Sequence, residues 1–251
     1  MLKTLFTGQH WIRLQETIST NTHALQLLAE KPVEGTLITA EFQSVGRGQK
    51  GNTWLAPPSV NLLMSLIYYP SFLPLSRMFS LSKAVSLGVL DAVKVYLPSA
   101  NVRIKWPNDL LIDKHKVAGI LIENQLEGSI LKASVIGIGL NVNQQHFAPE
   151  LGDYPTSMRR YTEAALSRED VLQSSLETIE ARYLQLKAKQ QAQLDRDYYD
   201  HLYGYQEAIP MADEQGEFEG IIVGVDHQGK LAVQRGQKLH YYDFKELRFL
   251  L

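Results

Sequence analysis

The chain has 251 residues, with 25 lysines and arginines against 27 aspartates and glutamates, a formal net charge of −2 and no cysteine. Without thiols there is no disulfide, no cysteine nucleophile, no cysteine-bound zinc and no iron–sulfur cluster, and so small a net charge does not suit a protein that coats nucleic acid by bulk electrostatics. No apolar run approaches the roughly 20 residues of a membrane span, and the opening MLKTLFTGQHWIRLQ lacks the apolar stretch and cleavage site of a signal peptide, so it reads as mature cytoplasmic sequence.

Taken in chain order, the pattern is mixed α/β. Thr36 to Phe42 reads as a strand, as does Asn61 to Tyr69, which Pro70 ends. Met78 to Tyr96 carries apolar residues at helical spacing. Val102 to Trp106 is a short strand stopped by Pro107. Leu110–Ile112 and Val117–Glu123 flank a turn and form a hairpin candidate. Ile130 to Asn141 is a long apolar strand with glycines at 137 and 139, where a ligand or a second backbone can approach closely. Ser167-Arg168-Glu169-Asp170 opens a helix in capping-box fashion, and helical character persists towards Tyr199. After Gly204 short strands and turns follow, which predicts a small all-β domain over 205–251 behind a larger domain over 1–204.

Gly46-Arg47-Gly48-Gln49-Lys50-Gly51 satisfies the dinucleotide pattern G-x-G-x-x-G. Its context fails, because a Rossmann loop must run into a helix, whereas two prolines follow at 57 and 58. It also fails as a P-loop, since Asn52 stands where the lysine belongs. What remains is a glycine loop with two cations, suited to an anion, and a tryptophan at 54 that offers a flat wall to a ring. The competing reading is a solvated surface loop.

A second cluster, Arg103-Ile104-Lys105-Trp106-Pro107-Asn108-Asp109, packs charges and an amide beside apolar strands. Such density is costly unless the groups pair with each other or with a ligand. The hairpin returns Lys116 close to Gly119, where a lysine can stabilise an oxyanion or phosphate. The alternative is that Asp109 caps a turn and Lys116 is solvated.

Four blocks together resemble the bacterial biotin protein ligases, also called biotin–[acetyl-CoA-carboxylase] ligases. They are Ser19-Thr20-Asn21; Gln43 with Gly46-Arg47-Gly48, Gly51 and Trp54; Lys105-Trp106-Pro107-Asn108-Asp109 with Lys116, Gly119, Leu121 and Glu123; and Ile136 to Asn143. The third block is the most specific. The resemblance implies an α/β (α+β) fold: a mixed-sheet catalytic domain of the biotin/lipoate ligase type, like that of class II aminoacyl-tRNA synthetases, with a small C-terminal SH3-like β-barrel. It implies activation of biotin by ATP to biotinyl-5′-AMP, then transfer to a lysine of a biotin carboxyl carrier protein. Neither step needs an enzyme thiol.

By the same resemblance, Ser19, Thr20, Asn21, Gln43, Gly46, Arg47, Gly48, Gln49, Lys116, Gly119 and Leu121 belong to the biotin site. Arg47, Trp54, Asn108, Asp109, Lys116 and Asn141 belong to the ATP and adenylate site. Arg47 and Lys116 are the catalytic cations, and the loop from Gly46 to Trp54 is expected to close over the adenylate. With the seven histidines scattered and no metal-ligand spacing, Mg²⁺ is expected to arrive with ATP. Gln49 departs from a common arginine, leaving Lys50 to compensate, and Ile18 departs from a common acidic residue. Ser19 lies too near Met1 for a preceding helix-turn-helix domain, so a ligase that binds no DNA and no membrane is expected, either monomer or homodimer. The rivals are a lipoate or octanoate ligase or transferase of the same fold and a non-catalytic biotin or adenylate binder.

Overall fold

The computed structural model describes residues 3–151 and 154–250. Strand β1 (Trp11–Thr17) precedes helix α1 (Thr20–Leu27) and strands β2 (Thr36–Gln43) and β3 (Leu62–Tyr68). Helix α2 (Phe79–Tyr96) leads to β4 (Val102–Lys105), β5 (Asp109–Ile112), β6 (His115–Glu127) and β7 (Ile130–Leu140). Helices α3 (Arg168–Lys187) and α4 (Gln191–His201) follow. The seven strands form one mixed sheet in the order β1-β2-β3-β7-β6-β5-β4, with β1 parallel to β2 and the remaining neighbours antiparallel.

Strand alternation assigns the two faces. Leu62, Met64, Leu66 and Tyr68 of β3 join the main core with α2 and α3, whereas Ile67 packs with Ala24 of α1, Ile38 and Val135. On β6, Ala118 and Ile120 are buried in the main core, while Gly119, Leu121 and Glu123 fall on the other face. In register across the sheet, that face carries Leu63–Gly139–Gly119–Asp109 in one row and Ser65–Gly137–Leu121 in the next. A row of glycines therefore runs across the middle strands and leaves a shallow floor.

The expected strands and the long helix over 78–96 are present, most within a residue or two, but β6 starts at His115 and runs on past the expected Glu123 to Glu127. Ser167 accepts the Asp170 N–H and caps α3, as its sequence predicts. The helical stretch towards Tyr199 is divided: Lys189 adopts a left-handed φ of 61°, and α4 folds back so that Leu194 and Tyr198 are buried.

The C-terminal strands β8 (Ala208–Asp213), β9 (Gly216–Val225), β10 (Leu231–Arg235), β11 (Lys238–Tyr242) and β12 (Arg248–Phe249) make an antiparallel sheet in the order β11-β10-β9-β8-β12. This is the small all-β unit expected of an SH3-like domain. It is bound to the main sheet through Trp106, 2 % exposed, whose indole N–H donates to the Gly229 carbonyl at 2.8 Å and whose ring lies 5.4 Å from Phe244. The Trp106–Pro107 peptide is cis.

Candidate active site

Over the glycine floor lies a cavity of about 420 Å³. One wall is the start of α1. Ser19 begins that helix with extended backbone, its hydroxyl makes no helix cap, and Ser19, Thr20 and Asn21 are all buried and line the cavity. Gln43 at the end of β2 accepts the Thr20 N–H at 2.7 Å and stands 3.0 Å from the Thr20 hydroxyl. Ser65 bridges the Thr20 hydroxyl, at 2.8 Å, and the Asn21 side-chain amide oxygen, at 2.6 Å. The Asn21 amide nitrogen in turn donates to Glu123 at 3.0 Å. Asn21 lies flat on the sheet because Gly137 has no side chain: a Cβ there would overlap the Asn21 carboxamide oxygen. This end of the cavity thus presents ordered hydroxyl and amide groups beside apolar strand, which suits a compact ligand with a polar ring.

The other end is cationic. Lys116 donates to Asp109 at 2.7 Å, with side chains only 24 % and 14 % exposed. Lys105 donates to the Tyr154 hydroxyl at 2.9 Å, and that hydroxyl stands 3.3 Å from the second Asp109 oxygen. Burial pushes the Lys105 ammonium below the usual lysine range, with Asp109 opposing and Lys116 adding to the shift. Burial and the neighbouring Asp109 both push the Tyr154 phenol up, so Tyr154 is a neutral hydrogen-bonding group across the physiological range.

The glycine loop closes the cavity from above. Trp54 N–H bonds to the Gly46 carbonyl at 2.9 Å, and Gly48 N–H to the Asn52 carbonyl at 2.7 Å, so the loop doubles back on itself. Arg47 reaches across to Glu123 with both terminal guanidinium nitrogens, at 3.1 and 2.8 Å. Trp54 lies on the sheet: a Cβ at Gly139 would overlap its indole, one at Gly119 would stand 2.8 Å from it, and the Lys116 ammonium is 5.3 Å from its ring centre. Its indole nitrogen is buried without a hydrogen-bond partner.

The cavity wall therefore contains Ser19, Thr20, Asn21, Gln43, Arg47, Gly48, Gln49, Trp54, Asn108, Asp109, Lys116, Gly119 and Leu121 of the residues expected from the sequence. Two others are elsewhere. Gly46 does not line the cavity; its role is to pass close to the Trp54 carbonyl. Asn141, expected at the adenine, is 4 % exposed, donates to the Thr156 carbonyl at 2.9 Å and accepts from Asn61 at 3.1 Å, so its amide serves a buried polar cluster behind the site. Ile18 is 61 % exposed and also lies off the cavity. The Lys50 side chain lies outside the described residues.

Comparison with known proteins shows the family. A family model of the biotin/lipoate A/B protein ligase family matches residues 12–141. The biotin–[acetyl-CoA-carboxylase] ligase of Mycobacterium tuberculosis is 32 % identical over 238 residues, 91 % of this chain and 86 % of that protein. The chain belongs to the biotin/lipoate A/B protein ligase family. The bifunctional ligase/repressor BirA of Bacillus subtilis is 32 % identical over 240 residues, 94 % of this chain and 73 % of that one. Among solved structures, biotin protein ligase from Aquifex aeolicus in complex with biotin and ATP superposes with a TM-score of 0.79 at 26 % identity, covering 96 % of this chain and 99 % of that one.

Within this family member, the sequence motifs miss one whole side of the cavity. Phe244, Lys245, Leu247, Arg248 and Phe249 of the C-terminal unit line it, and Lys105 sits 5.4 Å from the Phe249 ring centre. No motif marks residues 244–249; their role follows from the docking of the second sheet on Trp106. Among the described residues no group of three or more His, Cys, Asp or Glu is placed to hold a metal ion. No helix among them is long and apolar enough to cross a membrane.

Proposed function

We propose that this chain is an ATP-dependent biotin–[acetyl-CoA-carboxylase] ligase in which Arg47 and Lys116 carry the charge chemistry. The observation that carries the reading is the polarity of the cavity over the glycine floor. Ordered hydroxyls and amides at one end (Ser19, Thr20, Gln43) face fixed cations at the other (Lys116, Lys105), with Arg47 on the loop above.

Biotin enters with its ureido ring towards Ser19, Thr20 and Gln43 and its carboxylate towards Arg47 and Lys116. A carboxylate oxygen attacks the α-phosphorus of ATP, the bond to pyrophosphate breaks, and biotinyl-5′-AMP forms. Lys116 supports this step because charge builds between the carboxylate and the α-phosphate within its reach, where a preorganised cation acts strongly. Trp54 offers its ring to the adenine, and Asn108 and Asp109 order the phosphate end. Magnesium carried in with ATP would supply neutralisation of phosphate charge at that end. In the second step the amine of a carrier-protein lysine attacks the acyl carbon, AMP leaves with the bonding electron pair, and the amine gives up a proton. The Gly46–Trp54 loop closing over the adenylate keeps water from that anhydride.

The acceptor is the carrier domain of a biotin-dependent carboxylase, and the site of action is the cytoplasm, where ATP and such carboxylases meet. We divide the chain into a catalytic domain over 1–204 and an SH3-like domain over 205–251, on the boundary between the two sheets at Gly204. Incubation with biotin, MgATP and an apo carrier domain tests the reading: the acceptor gains the mass of one biotinyl group. Equal or greater exchange of pyrophosphate with lipoate in place of biotin overturns the substrate assignment.

A further inference from the structure

Arg47 is assigned above to the biotin carboxylate, yet its guanidinium is already engaged. Both of its terminal nitrogens are spent on the two oxygens of Glu123, at 3.1 and 2.8 Å. That edge of the fork is occupied, so a second carboxylate meets only the Nε side of the guanidinium while the pair holds. Glu123 itself does not line the cavity, whereas Arg47 does. It is the third member of the row Gly119, Leu121, Glu123 that alternation puts on the site face of β6. Its carboxylate keeps a second partner, the Asn21 amide at 3.0 Å. The pair is solvated, with side-chain exposures of 42 % for Arg47 and 22 % for Glu123, so separating it costs little.

We propose that Glu123 is a positioning residue that competes with the biotin carboxylate for Arg47, so that the guanidinium is handed from one carboxylate to the other when biotin binds. This inference rests on the assignment of the cavity to biotin. The pair with Glu123 holds Arg47, and with it the glycine loop, against β6. When the substrate carboxylate arrives, Arg47 turns into the cavity, and Glu123 retains the Asn21 amide and water. The intramolecular pair therefore lowers the affinity for the anionic end of biotin without touching the ureido end.

Glu123→Gln keeps the shape and an acceptor for the Asn21 amide but removes the competing charge. Binding is measured by calorimetry on the full chain with biotin and with neutral biotin amide. Expected is about two- to fivefold tighter binding of biotin by the variant, the scale of a solvated ion pair, with no gain for the amide. The ratio of the two affinities is read within each protein, so a general loss of folded protein does not disguise it. Glu123→Asp, which restores a negative charge, returns the ratio towards the wild-type value. A ratio that is unchanged or lower in Glu123→Gln overturns the competition. Failure of the wild-type chain to bind either ligand overturns the biotin assignment and the inference with it.

Discussion

Lys116 and Asp109 form an ion pair of 2.7 Å across adjacent strands, beneath the ring of Trp54. The lysine leaves β6 just where the β5–β6 register shifts between Leu110 and Leu111, which places its ammonium 3.3 Å from the position a Cβ on Gly119 would occupy. Asp109 thus fixes the cation in place. That removes the cost of ordering a long flexible side chain at the moment of reaction.

Removal of that cation should act on the first chemical step. In comparable sites loss of one preorganised contact costs about 2.7–4 kcal/mol of barrier, or on the order of a hundred- to a thousandfold in rate. Lys116→Ala is expected to slow ATP–pyrophosphate exchange by on the order of a hundredfold or more while the fold is kept, since the side chain is at the cavity and not in the core. Near-normal exchange by this variant would remove Lys116 from the reaction.

Lys105 gives a pH signature. Its ammonium is stabilised less in the folded chain than in the unfolded one, because burial outweighs the attraction of Asp109. Below the folded value both states hold the proton and the full burial penalty is felt. Between the lowered folded value and the ordinary lysine value the unfolded chain binds more proton, so stability rises with pH across that window. Lys105→Gln removes this slope. Denaturant unfolding at stepwise alkaline pH should show the stability difference, wild type minus variant, shifting in favour of the wild type as pH rises. A difference independent of pH would contradict the burial effect.

Much of this arrangement was visible in the residues. The hairpin of Leu110–Ile112 with Val117–Glu123 was readable from its apolar runs and turn, and the two-residue repeat of the strand found there puts Gly119, Leu121 and Glu123 on one face of β6. The capping pattern at Ser167 and the glycines at 137 and 139 were equally readable. Three features were not. Trp11–Thr17 is an edge strand whose Arg13, Gln15 and Glu16 interrupt its apolar residues, and its parallel partner lies 26 residues downstream. Asn141 falls in a matching motif, but a motif sets spacing and not direction, and buried partners Asn61 and Thr156 claim the amide. Residues 244–249 reach the cavity only through packing between the two sheets, for which no local pattern exists.

Trp106 should prove to be a joint as much as a site residue. It is buried between the sheets, with its N–H on the Gly229 carbonyl at 2.8 Å. Trp106→Ala is expected to cost about 3–5 kcal/mol from the lost buried volume. Trp106→Phe keeps most of the packing and isolates the hydrogen bond, at about 0.5–1.5 kcal/mol plus the cost of the orphaned carbonyl. Equilibrium unfolding in denaturant measures both. If the two sheets unfold as one unit, a single transition moves in each variant; if Trp106 is their main bond, Trp106→Ala separates the curve into two.

Gly139 offers the sharpest test of Trp54. The indole lies so close to the strand that any Cβ at 139 overlaps it. Gly139→Ala therefore lifts the ring off the floor without removing it, and the strand itself accepts alanine readily, since glycine inside a strand is the less favourable residue. Stability is expected to change by no more than about 1 kcal/mol, because the gain in backbone preference offsets the displaced ring. The site should change far more. With Trp54 as a wall for the adenine, KM for ATP rises several-fold or more in Gly139→Ala, while biotin affinity measured without ATP stays near wild type. Trp54→Ala should give the same division between the two ligands, because both variants remove the same surface from the same place. The opposite division, with biotin binding lost and KM for ATP unchanged, would place Trp54 in the biotin pocket.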